Sequence, residues 1–426
     1  MITAILFGSL ILLLALGVPV AFSIGMASFA AMLANGLPLI SLAQKLLTGV
    51  DSFPLMALPF FLLAAELMTG GALAEVLLRF AAMFVGHRRG GLGYTNILTL
   101  TFFSGISGSA LADAAGPGSI LIRMMRKSGY PAGYAAALTA TTAVVGPIIP
   151  PSIIMIIYAL QDQHVSVVSL FMAGIVPGLL ISGSLMAYNF WASRRRNFRG
   201  EGEAPDFRTI VATTWRALPA LVLPVIIVVG IHGGVFTPTE ASVIAVFYAL
   251  VCGLFVYRTL TIAMLPGILA RSAFMTAAVL VIVAMCSAFA WVLTVLKVPQ
   301  GLALWIGSLG LDPLTFLLAV NILLLLFGIF IEPLPGVMVL VPILAPMAYA
   351  LGIDPTHFAI IVIVNLTLGM ITPPVGGLLF VTAMVAKIRL QELNKELYPM
   401  LAVQIGVLAL ITLIPEISTW LPRILK

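Results

Sequence analysis

The sequence predicts an all-α polytopic membrane protein made of two inverted-topology repeats, each with a re-entrant helical hairpin and a broken transmembrane helix. Three observations predict it. Apolar residues make up 62% of the chain and charged residues 8%, against about 25% charged in a soluble domain, so the solvent of this surface is lipid. Two apolar stretches, 90–125 and 312–350, are split by small or Gly/Pro residues. At about 1.5 Å per residue each exceeds one crossing of a core roughly 30 Å thick. The same punctuation returns at a constant spacing of 223 residues, pairing Gly105 with Gly328, Gly129 with Gly352, Gly146 with Gly369, Pro150 with Pro373 and Pro151 with Pro374.

In chain order, the opening stretch has no basic n-region and no small-residue cleavage site before a polar chain. It reads as a retained span over 3–16, not a signal peptide. Further apolar runs predict spans at 19–35, 54–70, 167–192, 217–231, 238–257, 274–296 and 397–415, and broken spans at 131–160 and 355–386. Stretches 38–50 and 261–273 carry one charge each, Lys45 and Arg271, and read as interfacial arm helices. His87, Arg88 and Arg89 precede the first hairpin, about 90–127, and Arg123, Arg126 and Lys127 close it. Both of its ends therefore favour the cytoplasm. The second hairpin, about 312–350, lies between Asp312-Pro313 and Asp354-Pro355 with no Lys or Arg close by. It enters from the other face. Arg194-Arg195-Arg196, Arg199, Glu201, Gly202 and Pro205 mark a basic cytoplasmic linker over 193–216, which divides a first repeat (1–192) from a second (217–426). Ten crossings and two hairpins put both termini outside. Lys45, Lys297, Arg423 and Lys426 then also fall outside, against the charge rule. Trp191, Trp291 and Trp305 fit interfacial belts.

Composition also excludes functions. The net charge of +6 gathers in a few loops, as topology requires, and is no nucleic-acid signal. Cys252 and Cys286 sit alone in apolar runs and suggest neither a disulfide framework nor a metal site. His87, His164, His232 and His357 are scattered at loops and ends. There is no Walker lysine motif, so the chain is not its own ATPase.

The breaks carry the chemistry. Unwound backbone at membrane depth is tolerated only where protein buries it or where it lines a cavity. A hairpin tip joins a helix C-terminus, whose free carbonyls suit a hard cation such as Na⁺, to a helix N-terminus, whose N–H groups suit a carboxylate. The stretch 104–109, with Ser104, Ser107, Gly108 and Ser109, faces the break at Thr141, Thr142, Gly146 and Pro147. The second tip, Gly328 to Glu332 and Pro333, faces Asn365, Thr367, Gly369, Thr372 and Pro373. One sodium site per pair is expected. The solute is expected between the tips, touching Ser107, Ser109, Pro151, Ser152, Asn365 and Pro374. Asp113, one turn into the first hairpin's second arm, is a candidate to balance cation charge. No Lys or Arg lies deep in a break, so an anionic solute is left to backbone N–H groups, hydroxyls and bound Na⁺. Glu66 and Glu240, near span ends, suggest hydrogen-bonded structural roles. Small residues at helix contacts also serve close packing alone, but packing does not explain paired, unwound segments.

The residues Ser107-Gly108-Ser109-Ala110-Leu111-Ala112-Asp113 and Gly146-Pro147-Ile148-Ile149-Pro150-Pro151-Ser152 resemble the large membrane subunit of tripartite ATP-independent periplasmic (TRAP) transporters, the DctM family. Ala57-Leu58-Pro59-Phe60-Phe61, Gly90-Gly91-Leu92-Gly93-Tyr94, Phe236-Thr237-Pro238-Thr239-Glu240-Ala241 and Ile371-Thr372-Pro373-Pro374 extend the resemblance over essentially the whole chain. It implies an elevator-type transporter in the bacterial inner membrane. A transport unit of hairpins and broken helices moves against a scaffold, driven by a Na⁺ gradient, with no cofactor. It also implies two partners, a small four-helix membrane subunit and a periplasmic solute-binding protein, and substrates such as C4-dicarboxylates or sialic acid. The second tip departs from the family pattern. It reads Ile331-Glu332-Pro333-Leu334-Pro335 where many relatives carry a shorter acid followed by small hydroxyl residues. A stand-alone sodium/carboxylate symporter of the same superfamily is the nearest alternative. An intramembrane enzyme is remote, because Asp113 has no partner aspartate and no His shares a depth with the serines.

Overall fold

The computed structural model describes residues 2–70, 73–200, 204–308 and 310–425. Met1, Glu201, Gly202, Lys426 and the Trp305 side chain lie outside the described residues. The described chain is helical throughout. Helices α1 (Ile2–Ala15), α2 (Val20–Ala34), α3 (Leu39–Val50), α4 (Ala57–Gly70) and α5 (Leu73–Val85) lead to the first hairpin. That hairpin comprises α6 (Gly91–Ser107), α7 (Ala110–Ala115) and α8 (Pro117–Lys127). The first broken span is α9 (Ala132–Ala143) plus α10 (Ile153–Gln161), and α11 (Val167–Arg196) follows. Then come α12 (Phe207–His232), α13 (Pro238–Val251), α14 (Leu265–Val295) and α15 (Val298–Ser308). The second hairpin is α16 (Pro313–Gly328) with α17 (Pro333–Ala350), and the second broken span is α18 (Pro355–Gly369) with α19 (Gly377–Ala386). Helices α20 (Leu390–Leu413) and α21 (Glu416–Ile424) close the chain.

The spacing of 223 residues holds element for element, from α4 against α14 to α11 against α20. Both Pro-Pro bonds, Pro150-Pro151 and Pro373-Pro374, are cis. Among the described residues, six helices are long and apolar enough to cross a membrane: α11, α12, α13 with its π-helical extension to Val256, α14, α17 and α20. Helices α1, α2, α16, α18 and α19 are shorter apolar helices. Two helices, α5 and α15, fall between predicted spans and were not anticipated. The amphipathic α5 turns Leu73, Leu77, Phe80 and Ala81 inward against α6 and α12.

Two expectations are corrected. The arm at 261–273 is not a separate helix. After a short 3₁₀ turn at Ile262–Met264 it runs unbroken into α14. The first-repeat arm α3 does bend, by 58° against the helix after it. Asp51-Ser52-Phe53-Pro54 interrupts that chain, whereas Ser272-Ala273-Phe274-Met275 offers no breaker. The second correction concerns 104–109. Ser104 and Ser107 remain helical, and unwinding begins only at Gly108. The Ser104 hydroxyl donates to the Leu100 carbonyl one turn back (2.7 Å), which the helix accommodates. Gly108 then stops it by adopting φ +60°, a conformation L side chains resist.

Packing divides the helices into two groups. Helices α2, α3, α4 and α13 gather on α14 and on one another. Close approach depends on Gly25 and Gly49, where a Cβ would stand 2.4 Å from Met285 Sδ and from Ser287 Cβ respectively. The second group joins both hairpins and both broken spans around α11 and α20. Gln404 Nε2 donates to the Thr141 carbonyl (2.6 Å), Arg126 Nη1 to the Ala386 carbonyl (2.8 Å), and Arg196 pairs with Glu396 (2.8 Å), so the repeats are stitched together. At the end of α11, Arg194 lies over Phe190 (4.1 Å to the ring centre) and Arg195 over Trp191 (4.4 Å). The expected linker over 193–216 is thus shorter, since α11 runs to Arg196 and α12 begins at Phe207, and its first arginines form guanidinium–aromatic stacks on α11.

Candidate functional site

The first tip is built around Asp113. Its carboxylate is fully buried and accepts from the Ser107 hydroxyl at Oδ1 and from the Ser104 hydroxyl at Oδ2 (3.4 Å). The Ser109 backbone N–H donates to Ser107 Oγ (3.2 Å), and Ser109 caps α7 through the Ala112 N–H (3.4 Å). The facing break closes over this group. A Cβ on Gly146 would sit 2.7 Å from Asp113 Oδ2, and one on Gly108 would sit 2.7 Å from the Pro151 carbonyl oxygen. Only glycine lets the two backbones meet here. The result is a buried acid with two hydroxyls, beside a helix C-terminus whose last carbonyls have few internal partners. That donor set offers the oxygen ligands that a small hard cation takes.

The second tip is put together differently. Gly328 and Gly369 meet backbone to backbone, with a Cβ on Gly369 only 2.5 Å from Gly328 Cα. The Gly376 N–H donates to the Ile329 carbonyl (3.3 Å), linking break to tip. The repeat position of Asp113 is Gly336, which is packed against the Leu366 side chain (3.1 Å from a Cβ built there). The repeat position of Ser109 is Glu332, which occupies the N-cap of α17 without making a side-chain cap bond. The acid has moved from inside the tip to its surface.

A cavity of about 770 Å³ lies between the tips and the α14 group. Gly108, Ser109 and Pro147 line it from the first pair, Glu332, Pro333 and Met370 from the second, and Glu66, Arg271 and Ala278 from α4 and α14. A second cavity of about 780 Å³ runs from Glu332 and Gly328 to α2. Ser109, Gly108, Pro147, Glu332 and Pro333 therefore share one space, with Ser104, Ser107, Asp113 and Gly146 directly behind it.

Several expected site residues do not line either cavity. Thr142 and Thr372 turn their hydroxyls onto carbonyls of their own helices, Leu138 (2.8 Å) and Leu368 (2.9 Å). Ser152 caps α10 through the Met155 N–H and donates to the Pro147 carbonyl (2.5 Å). Asn365 joins Asn321 (2.6 Å) and, through it, Thr412 (3.0 Å), in a buried chain between α16, α18 and α20. Pro373 and Pro374 form the turn between α18 and α19, outside the lining of both cavities. Glu240 does take the structural role expected of it, closing a capping box with Thr237 (2.8 Å to the backbone N–H). The sequence reading missed Arg271 as a cavity residue. Its signal was an arginine within an otherwise apolar run.

Two cavity-facing hairpin tips, two broken helices and an apolar exterior define a membrane transport protein, not an enzyme. Residues 7–417 match the model of the family described as "Tripartite ATP-independent periplasmic transporter, DctM component", and the chain belongs to that family. It is a multi-pass protein of the bacterial inner membrane. The chain is 40% identical over 97% of its length to the isethionate TRAP transporter permease protein DctMQ of Oleidesulfovibrio alaskensis, and spans 65% of that protein. It is 39% identical to the sialic acid TRAP transporter large permease protein SiaM of Vibrio cholerae, covering 98% of each chain. Its fold is similar to that in the crystal structure of the Alcanivorax borkumensis YdaH transporter, with a TM-score of 0.63, 16% identity and 88% of each chain covered.

Proposed function

We propose that the chain is the transport subunit of a Na⁺-driven uptake system for a small organic acid. The solute is handed over by a periplasmic binding protein, and a small four-helix membrane subunit completes the complex. The observation that supports this most directly is the buried Asp113 carboxylate, enclosed by Ser104, Ser107 and Gly146 immediately behind the cavity. A Na⁺ ion there neutralises the acid and accepts oxygen ligands from the hydroxyls and the end of α6. The bound charge then draws an anion into the cavity lined by Gly108, Ser109, Ala110 and Leu111 at the start of α7. At the second tip, Gly328, Gly369 and the turn through Pro373 supply carbonyl oxygen, and Glu332 supplies charge from the cavity side. The two hairpins and broken spans move as one unit against α2, α3, α4, α13 and α14, exposing the cavity first to one face and then to the other. The resemblance and the substrates named for the relatives point to carboxylates and sulfonates.

The test is reconstitution with the partner subunits in vesicles under an inward Na⁺ gradient, with succinate, isethionate and N-acetylneuraminate offered in turn. Uptake of at least one that collapses when Na⁺ is replaced by choline is the expected result. Uptake driven equally well by a proton gradient without Na⁺ would falsify the coupling.

A further inference from the structure

Arg271 is the one cationic side chain among the described residues lining the cavity between the tips, and it is contributed by α14, not by a hairpin. Its Nε donates to Glu66 Oε2 (3.0 Å) on α4. That bond uses one of five guanidinium N–H donors. The Arg271 side chain remains 59% exposed while Glu66 is 21% exposed, so the carboxylate is the tucked-in partner and the guanidinium the open one. The pair lines both this cavity and a shallower groove shared with Ala270, Phe274 and Met275. Guanidinium edges bind planar carboxylates and sulfonates through paired N–H donors, and Glu66 fixes which edge stays free. Glu332 and Pro333 stand on the cavity's hairpin side.

We infer that Arg271 is the entry site for the anionic group of the solute, held in orientation by Glu66, and that it sets the preference for anions before the tips engage. This rests on the proposed reading of the cavity as a solute site. An incoming carboxylate or sulfonate docks on the η-nitrogens of Arg271. It then passes to the tips, which form the opposite wall through Gly108, Ser109, Glu332 and Pro333, and Glu66 retains the guanidinium when the solute leaves. Because Arg271 belongs to the α14 group, the solute is released from it as the hairpins move away, which keeps a strong ion pair from trapping the cargo.

Two measurements test this. In the purified full chain, phenylglyoxal modification of Arg271 is followed by peptide mass spectrometry with succinate, isethionate or N-acetylneuraminate present. At least one anion should slow modification of Arg271 by about fivefold or more and leave the exposed Arg389 unaffected. Protection by none of them overturns the inference. In the reconstituted complex, Arg271→Gln should raise KM about tenfold or more with Vmax changed by less than about twofold, and Arg271→Lys should fall between it and wild type. Glu66→Gln should keep thermal stability within a few degrees while altering KM. Unchanged KM in Arg271→Gln, with both single variants less stable and the Glu66→Gln/Arg271→Gln double variant recovering stability, would make the pair a packing element and overturn the proposal. Sodium-driven uptake without protection of Arg271 sinks this inference alone. Protection of Arg271 with uptake indifferent to Na⁺ sinks the sodium coupling alone.

Discussion

Asp113 shows how much one buried carboxylate organises. It takes two serine hydroxyls from α6, and Gly146 from the other side gives it room. Removing one ligand should weaken the cation without unfolding the tip. Ser107→Ala is therefore expected to raise the Na⁺ concentration for half-maximal uptake by about tenfold, the equivalent of a single charge-assisted hydrogen bond, and an unchanged sodium dependence would remove Ser107 from the site. Gly146→Ala is a steric test. Its methyl would stand 2.7 Å from Asp113 Oδ2, so uptake should be lost while the protein is still made and inserted at wild-type levels. Between α11 and α12, Asp206 caps α12. Hydrogen bonds from the Thr209 hydroxyl and backbone N–H hold its carboxyl below the usual range. A group with a lowered folded pKa contributes stability above its unfolded pKa, near 4, and loses it as pH falls through the folded value. Amide protection in the first turn of α12, taken as exchange relative to unstructured chain at the same pH, should thus be high at neutral pH and fall at strongly acidic pH in wild type. In Asp206→Ala it should be low at both.

At the scale of elements, hairpins and broken spans are held in register by backbone-to-backbone contact. Gly328 against Gly369 is the tightest such contact. Gly369→Ala has no side-chain slack to absorb it, because the opposing atoms are main chain, so α16 and α18 should separate at a cost of about 1–3 kcal/mol. A lowered melting temperature in detergent, larger than that for Gly377→Ala in open space, would show it. The paired breaks were legible because Gly and Pro punctuate an apolar run in the same order twice. The extents were less legible. Serines at 104 and 107 look like unwinding in sequence, yet a hydroxyl bonded to the preceding turn lets a helix continue. The second arm was also misread, since an arm helix and the start of a long α14 have the same composition until something breaks them.

For the whole molecule, the cavity has hairpin residues on one wall and α4–α14 residues on the other. If uptake requires one group to slide past the other, tying the walls together must stop it. Cysteines at Ala278 and Met370, joined by a flexible bis-thiosulfonate, should arrest uptake, and reduction should restore it. Cys252 and Cys286 are buried and should not compete. Uptake that persists in the cross-linked protein would mean that the groups do not move relative to each other.

Sequence alone determined what depends on local pattern: lipid as the solvent, the two repeats, the order of hairpin and broken span, and the family to which they belong. Each follows from composition or from spacing along the chain, which folding does not change. Only the tertiary structure decided which polar atoms are left for a ligand. Thr142, Thr372 and Asn365 carry the same groups as a ligand would need, but packing places them outside the lining of both cavities, with the threonine hydroxyls on their own helices and the Asn365 amide on Asn321. Arg271 lies 61 positions before Glu332 and reaches the same cavity through the packing of α14, a relation that no spacing along the chain encodes.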